Sequence, residues 1–174
     1  ATVIILQMRF DVKKLYTLLY IILTLLCVSA CSESGCPLNN VVLAHYGFYS
    51  TYGDTIKQVS LQTILTVRAM GTDSILLNKE QNPTGLNLPL SYFADADTLI
   101  FDYMKEETLM GRDTIIITKT NQPHYESPDC PSGMFHIVQF VGFSHNAIDT
   151  VIITSPAVNY SQDENIRIIF AGSD

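Results

Sequence analysis

The sequence has no tryptophan, only 4 cysteines in 174 residues, and few basic side chains. Lysine and arginine together number 10, against 17 aspartate and glutamate residues, so the net charge is −7. Nucleic-acid binding needs a concentrated basic surface, and no basic cluster follows Lys14, so we expect no nucleic-acid partner. Because 47% of the residues are hydrophobic and 16% are charged, the composition indicates a packed globular domain.

Signatures of cofactor and metal chemistry are also missing from the sequence. It has no glycine-rich phosphate loop, no Rossmann fingerprint and no G-x-S-x-G elbow. Asp95, Asp97 and Asp102 lie close together but lack the spacing of a calcium loop, so a solvated turn is favoured. Four histidines, none at short metal-ligand spacing, are interpreted as structural: His45, His124, His136 and His145. We therefore expect no metal and no cofactor.

The first thirty residues have the pattern of a secretory signal peptide. Met8 is followed by three basic residues, the apolar run LYTLLYIILTLLCV and then small residues. A basic start, an apolar run of about 7–15 residues and a small-residue exit describe such a signal. A membrane-spanning helix is the alternative, but residues 15–30 are shorter than the ~20 residues that a span needs. We predict a cleaved signal peptide over residues 1–30, with its start at Met8.

The end of this apolar run resembles the lipobox of bacterial lipoproteins. Residues 28–31, VSAC, match the aliphatic–small–small–Cys pattern at all four positions. In that family the cysteine receives a diacylglyceryl group, the chain is cut before it, and the new amine is acylated. The resemblance implies that Cys31 is the lipidated N terminus, that the membrane is a partner, and that the protein lies in the cell envelope, anchored to the outer membrane. Several acyl chains hold a protein firmly on a bilayer.

Two cysteines remain after cleavage and lipidation, Cys36 and Cys130. An even remainder in an oxidising, exported setting indicates a disulfide. Two free or metal-binding thiols are the alternative, although two cysteines without a paired motif make a poor zinc site. We predict a Cys36–Cys130 bridge and a lipidated tether over residues 31–40. Residues 32–35 between anchor and bridge span at most about 14 Å, which would hold the domain close to the membrane.

The rest of the chain, residues 41–174, is predicted to form a single all-β domain. Short β-branched runs with period-two alternation are bounded by turn residues, as in LQTILTV (61–67) and NIRIIF (165–170). Asp113-Thr114-Ile115 and four similar triplets are interpreted as strand starts. FHIVQFVGF (135–143) is expected to be a central, buried strand, and EETLMG (106–111) offers at most one helical turn. We predict a β-sandwich of about eight short strands, mainly antiparallel.

The mature chain resembles a group of uncharacterised small envelope lipoproteins from Bacteroidetes-type bacteria. The resemblance rests on the lipobox, the motif CPLNN…YGFY, the turn Cys130-Pro131 and the final strand NIRIIF. It implies a β-rich cell-envelope domain of unknown function and carries no catalytic residues.

The run YGFYSTY (46–52) supplies the candidate binding surface: Tyr46, Phe48, Tyr49 and Tyr52. Alternation places Tyr46 and Phe48 on one face and Tyr49 on the other. Aromatic rings supply rigid contact area for a glycan or a protein ligand, and ordinary sandwich core is the alternative.

Our functional hypothesis is a non-catalytic binding or scaffolding lipoprotein. The alternatives are a membrane-tethered hydrolase with dispersed Ser, His and Asp residues, and a structural accessory subunit of an envelope complex, for which a large apolar patch would be the sign.

Overall fold

The computed structural model describes residues 14–17, 19–21, 41–72, 74–128 and 130–172, of which 14–17 and 19–21 are helical. The chain divides into two compact units, Ala1–Cys36 and Pro37–Asp174, and every described strand belongs to the second. The described strands are β1 (Leu43–Tyr52), β2 (Thr55–Gln58), β3 (Ile64–Ala69), β4 (Ile75–Gln81), β5 (Gly85–Pro89), β6 (Ala96–Lys105), β7 (Thr108–His124), β8 (Gly133–Phe143), β9 (Ile148–Ile153), β10 (Ala157–Val158) and β11 (Ile166–Phe170).

These strands form two sheets. The first has the order β2-β1-β11-β9, and β5 pairs with β1 beside the segment that pairs with β2. The second has the order β10-β8-β7-β6-β3-β4. Only β1 and β11 pair in parallel among the described strands. The predicted all-β sandwich is confirmed. It has more described strands than the eight expected, because several of them are short, with two to five residues.

The core lies between the sheets and follows the period-two alternation of the sequence. On β7, Ile115 and Ile117 are fully buried whereas Ile116 between them is exposed. On β6, Leu99 and Phe101 occupy the same inward face. Burial of such side chains contributes about 1.5–3 kcal/mol each, so the alternation itself specifies which face of each strand packs inward.

Three local predictions were wrong. EETLMG forms the hairpin between β6 and β7, with Glu106 in the left-handed region (φ 54°) that a tight turn requires. Asp113 lies in the middle of β7 and starts no strand. The outer face of β8 is exposed, with Phe140 at 61%, and among the described strands only the two-residue β10 lies beyond it in the sheet. β8 is therefore not a central strand buried on both faces.

The sandwich has two ends, which we call proximal and distal. The proximal end is where β1 begins, β5 ends, β6 begins and β7 turns into β8, as the pairs Leu43–Pro89 and His124–Gly133 define. The distal end is where β1, β6, β8 and β11 end and β7 and β9 begin. The two ends carry different chemistry.

Candidate functional site

The predicted aromatic surface is only partly exposed. Tyr46 and Phe48 are buried in the core at 3% and 0% exposure, so they cannot contact a ligand at the surface, and the core interpretation holds for them. The alternation that placed these two side chains on one face is correct, since Tyr49 on the opposite face is half-buried. Tyr52, at the distal end of β1, is 53% exposed.

Tyr49 belongs to a polar cluster on the outer face of the first sheet. Its hydroxyl donates to Glu164 Oε2 at 2.7 Å, and the Arg167 guanidinium lies 4.3 Å from the centre of its ring. Arg167 Nε also donates to Glu164 Oε1 at 2.9 Å. The hydrogen bond to Glu164, followed by burial, raises the pKa of Tyr49. A side chain at Gly47 would collide with Glu164 and the Tyr49 ring, so glycine there makes room for this cluster.

Tyr52 lines a pocket at the distal end, between the ends of the two sheets. The pocket has a volume of about 510 Å³, which is within the usual range of small-ligand sites. Its wall combines apolar side chains with hydroxyl and amide groups, and none of the described residues that line it is charged or a histidine. The lining residues are Ser50, Tyr52, Val59, Ser60, Leu61, Gln62, Thr63, Tyr103, Met110, Gly111, Asn146, Ala147, Phe170 and Ala171.

One wall of this distal pocket is the segment between β2 and β3, residues 59–63. Its backbone is fixed by two hydrogen bonds, from Val59 N to the Phe48 carbonyl and from Leu61 N to the Pro83 carbonyl, both 2.9 Å long. The Ser60 hydroxyl donates to a further backbone carbonyl at 2.5 Å. Because these bonds are internal to the protein, the wall is formed before any ligand arrives.

The opposite wall is the segment between β8 and β9, which Asp113 holds from inside the sandwich. Asp113 has no exposed surface. Its Oδ1 accepts from the Ser144 hydroxyl at 2.6 Å and from Asn146 N at 2.8 Å, and its Oδ2 accepts from Ala147 N and Ile148 N at 2.8 and 3.2 Å. Four donors match the four lone-pair sites of a carboxylate, so this single buried charge fixes the whole turn.

The floor of the distal pocket is aromatic. Tyr103 packs edge-to-face on Phe170, with ring centres 6.1 Å apart. Burial, together with the neighbouring Asp113 charge, raises the pKa of Tyr103. The buried Tyr103 hydroxyl has no hydrogen-bond partner of normal geometry among the described residues, and neither does the buried hydroxyl of Thr63, which also lines the pocket. Unpaired buried polar atoms are costly, so this floor is less stabilised than the walls.

The proximal end contains a second polar cluster, which sequence analysis missed. The Lys119 side chain points inward from β7 with no exposed surface. Its Nζ donates to the carbonyls of Ser91 and Ala94 at 2.7 and 2.6 Å, and to Asn121 Oδ1 at 2.8 Å. The Asp97 carboxylate lies 3.4 Å away. A buried ammonium is tolerated only with such partners.

His136 is the histidine most altered by its surroundings. It is fully buried on β8, and its Nδ1 lies 2.8 Å from Asn121 Oδ1. Burial and the Lys119 charge lower the pKa of His136 to about 4, against a weaker opposing effect of Asp97. Its Nε2 atom and the Tyr46 hydroxyl lack hydrogen-bond partners among the described residues. These interactions are those of a structural histidine.

Asp97 and Asp102 lie on strand β6 and do not form the solvated turn that the sequence favoured for them. Asp97 faces Lys119 inside the sandwich, whereas Asp102 faces outward and accepts from Arg68 at 2.7 Å and Arg112 at 2.5 Å. Burial raises the pKa of Asp102, but the two guanidinium hydrogen bonds lower it more, so it lies below the ordinary value. Within the described part of the chain, no three His, Cys, Asp or Glu side chains are grouped as metal ligands.

The remaining histidines lie near the surface. The His124 ring stacks on Phe135, and its Nε2 lies 3.0 Å from Glu126. The His145 ring contacts Phe143 edge-on, and the backbone of His45 bonds to Asn165. Across the described residues, no serine hydroxyl bonds to a histidine ring. A Ser–His pair of a hydrolase is therefore not formed in this part of the chain.

The cysteine predictions fall largely outside the described residues. Cys31 and Cys36 lie outside them, as do most of the predicted signal peptide and the predicted tether. Cys130 lies at the proximal end between β7 and β8, where the Ser127 hydroxyl donates to its sulfur at 3.5 Å. Its disulfide bond with Cys36 stays a prediction. In the described part of the chain, no helix has both the length and the apolar character of a membrane span.

Comparison with known proteins gives one match. Neither the curated proteins nor the solved structures contain a significant relative. Residues 64–170 match the family described as a family of unknown function, DUF6452. This range runs from the start of β3 to the end of β11 and includes both Asp113 and the Lys119 cluster. The chain therefore belongs to the DUF6452 family of unknown function.

Proposed function

We propose that this protein is a cell-envelope lipoprotein, anchored to the outer membrane through Cys31, whose β-sandwich binds a ligand in the distal pocket without catalysis. The observation that carries the proposal is the distal pocket itself. Its two walls are fixed by internal hydrogen bonds, one of them through the four bonds to Asp113. Preformed walls lower the entropy cost of binding, which favours a binding role.

The chemistry of the pocket favours a saccharide. Tyr52 offers a half-exposed aromatic ring at the rim, and Met110 beside it is 62% exposed. The amide side chains of Gln62 and Asn146 are exposed at the same rim. An aromatic face with nearby amide donors and acceptors suits a sugar, which has an apolar ring face and hydroxyl groups.

The same lining argues for binding over catalysis. The pocket contains the hydroxyls of Ser50, Ser60 and Thr63, and none of the described residues that line it has an imidazole, carboxylate or amine that could accept a proton from them. A serine nucleophile needs such a base within hydrogen-bond reach. The scattered-triad hydrolase therefore has no support at this site.

The anchor is supported by the sequence and by the position of Cys130. The VSAC motif follows a signal-peptide pattern directly. The described domain begins at the proximal end, where Cys130 also lies, and the pocket is at the other end of β1. At about 3.3 Å per residue, Ser50 lies roughly 23 Å along β1 from Leu43. A tether over residues 31–40 would therefore leave the pocket facing away from the membrane.

Saccharide binding can be tested by NMR titration with a panel of bacterial-envelope oligosaccharides. We expect a ligand that shifts the amide signals of residues 59–63 and 144–148. Tyr52→Ala should weaken its binding about tenfold, the equivalent of about 1.4 kcal/mol. Tyr125→Ala removes another exposed tyrosine ring, at the proximal end, and serves as the matched control. A panel without any binder, or a ligand that binds Tyr52→Ala as well as the parent, would contradict the pocket assignment.

A further inference from the structure

The most exposed large hydrophobic side chain of the described domain is Phe93, at 90%. It lies in the segment between β5 and β6, at the proximal end of the sandwich. Exposed aromatic rings on loops are often explained by a loose loop, and here that explanation fails.

The Phe93 segment is held from inside. Lys119 Nζ bonds to the carbonyls of Ser91 and Ala94, on either side of Phe93. Asn121 Nδ2 also donates to the Ala94 carbonyl at 3.1 Å, and Ser91 N donates to Asp97 Oδ2 at 3.0 Å. The buried polar cluster thus fixes the backbone at Ser91, two residues before Phe93, and at Ala94, directly after it. The ring is presented to solvent on a rigid support, at the cost of a buried charge.

Other exposed apolar side chains lie at the same end. Val41 and Met70 are each 54% exposed, and Tyr125 is 67% exposed. Val41 precedes β1, Met70 follows β3 and bonds through its backbone to Thr98 near the start of β6, and Tyr125 follows β7. These positions come from both sheets, so the apolar groups belong to the proximal end as a whole.

The N-terminal side of the chain indicates what covers this end. The described domain begins at Val41, ten positions after Cys31, and ten extended residues reach at most about 35 Å. Cys130 lies at the same end, and a bridge to Cys36 would shorten the reach to the four residues between Cys31 and Cys36. A lipid anchor at Cys31 would therefore place a bilayer against the end that presents Phe93.

We propose that Phe93 inserts into the interfacial layer of the membrane that holds the lipid anchor, so that the proximal end is a membrane-docking surface. Phe, Trp and Leu are the side chains that membrane-surface segments bury at the boundary between the headgroups and the acyl chains. A single ring binds weakly, but a tether makes its binding intramolecular and raises the effective concentration of the bilayer. The inference rests on the proposed lipid anchor for its geometry. It adds an orientation: the buried Lys119 cluster supports a docking residue, and the distal pocket points outward.

The acidic residues at the proximal end determine which lipid is suitable for testing this proposal. Asp95 and Glu126 are exposed near Phe93 and Tyr125, and the chain as a whole is acidic. Such a surface is not attracted to anionic lipids. Zwitterionic phosphatidylcholine vesicles therefore isolate the apolar contact from electrostatic effects.

The sequence lacks tryptophan, so Phe93→Trp introduces a unique fluorescent reporter at an exposed position. Tyr52→Trp places the same reporter at the distal end as the matched control. The full chain, purified from its membrane, is reconstituted in phosphatidylcholine vesicles that contain brominated acyl chains, which quench tryptophan only on contact. We expect the fluorescence of the Phe93→Trp protein to fall roughly twofold or more, with a blue shift, as for a residue in the interface. The Tyr52→Trp protein should show neither change.

A second arm separates this inference from the lipid anchor. In a Cys31→Ser chain, residues 1–30 are replaced by a hexahistidine tag and the protein is held on nickel-chelating lipids in the same vesicles. The second compact unit contains all the described strands and the core, so it is expected to fold without the first. Quenching of Phe93→Trp on these vesicles would support the docking surface independently of the lipid anchor. If the natural protein then proved to carry no acyl chain, the lipid anchor would be refuted and the docking surface would stand. Unquenched Phe93→Trp fluorescence on tagged vesicles would overturn the docking surface whatever the natural anchor is.

Discussion

The Nζ atom of Lys119 lies 3.4 Å from Oδ2 of Asp97, in a part of the sandwich where the lysine side chain has no exposed surface. The same ammonium donates to two carbonyls of the segment between β5 and β6. One buried cation therefore connects β6, β7 and the segment that presents Phe93. This connection is the basis of the first prediction.

Lys119→Met should destabilise the fold by about 3–5 kcal/mol, because it removes the cation that faces the partly buried Asp97 carboxylate and the donor that bonds to the Ser91 and Ala94 carbonyls. Urea unfolding measures the loss. Lys105→Met, at an exposed position, should change stability by no more than about 0.5 kcal/mol. The double variant Lys119→Met/Asp97→Leu should recover part of the loss, since a buried pair is often replaceable by apolar side chains. Equal effects of the two lysine variants would refute the structural role of the cluster.

Asp113→Asn should loosen the segment between β8 and β9. The amide keeps the size of the side chain but replaces one acceptor oxygen with an N–H group, so in either orientation at least one backbone N–H of residues 146–148 loses its acceptor. We expect a loss of about 2–3 kcal/mol and faster hydrogen exchange at the amides of residues 146–148. Asp149→Asn, an exposed neighbour on β9, is the control and should leave both unchanged. Unaltered exchange in Asp113→Asn would mean that another interaction holds this wall of the pocket.

His136 should make stability depend on pH between about 4 and 6.5. Burial, and then the Lys119 charge, lower its pKa in the folded state to about 4. In the unfolded chain the imidazole takes up a proton below about 6.5. The unfolded state therefore binds more protons in this window, and the unfolding free energy falls by about 3 kcal/mol as the pH drops from 6.5 to 4. His136→Leu should reduce the slope of the unfolding free energy against pH by the equivalent of up to one bound proton. ¹⁵N NMR should find the native His136 ring neutral at pH 5. A protonated ring at pH 5 would contradict the burial effect.

The Cys36–Cys130 bridge would close a loop of 95 residues. Its removal by Cys36→Ser should cost about 4–5 kcal/mol in the chain-entropy description. Unfolding with and without reductant measures the difference, which should vanish in Cys36→Ser. Cys27→Ser, within the predicted signal peptide, is the control and should leave the mature protein unchanged. A persistent effect of reductant in Cys36→Ser would show that Cys130 has another partner.

The fold class was predictable from the sequence because period-two alternation of β-branched residues is a local signal. The alternation in YGFYSTY correctly placed Tyr46 and Phe48 on one face of the strand, and this is the face that is buried. It could not tell core from ligand surface, because an inward-facing aromatic residue has the same pattern in both cases. Only the packing of the second sheet over these two rings decides between them.

The polar clusters were missed for a related reason. Asp113 is followed by Thr and Ile, and this triplet is typical of a strand start, whereas β7 in fact begins five residues earlier. A signal was available: the inward positions of β7 read Asp113, Ile115, Ile117, Lys119 and Asn121, so one apolar face continues into polar residues at both ends. Such a face predicts buried polar groups at the two ends of a sandwich. The distal pocket combines side chains from seven separate elements, and no local pattern could indicate it.

The central claim is that Cys31 becomes the lipidated N terminus of an exported β-sandwich. The intact mass of the natural protein extracted from membranes tests this claim most directly. We predict a chain that begins at Cys31, carries a diacylglyceryl group and an N-terminal acyl chain, and gains two hydrogen masses on reduction. A protein that keeps residues 8–30 and carries no fatty acid would contradict the account.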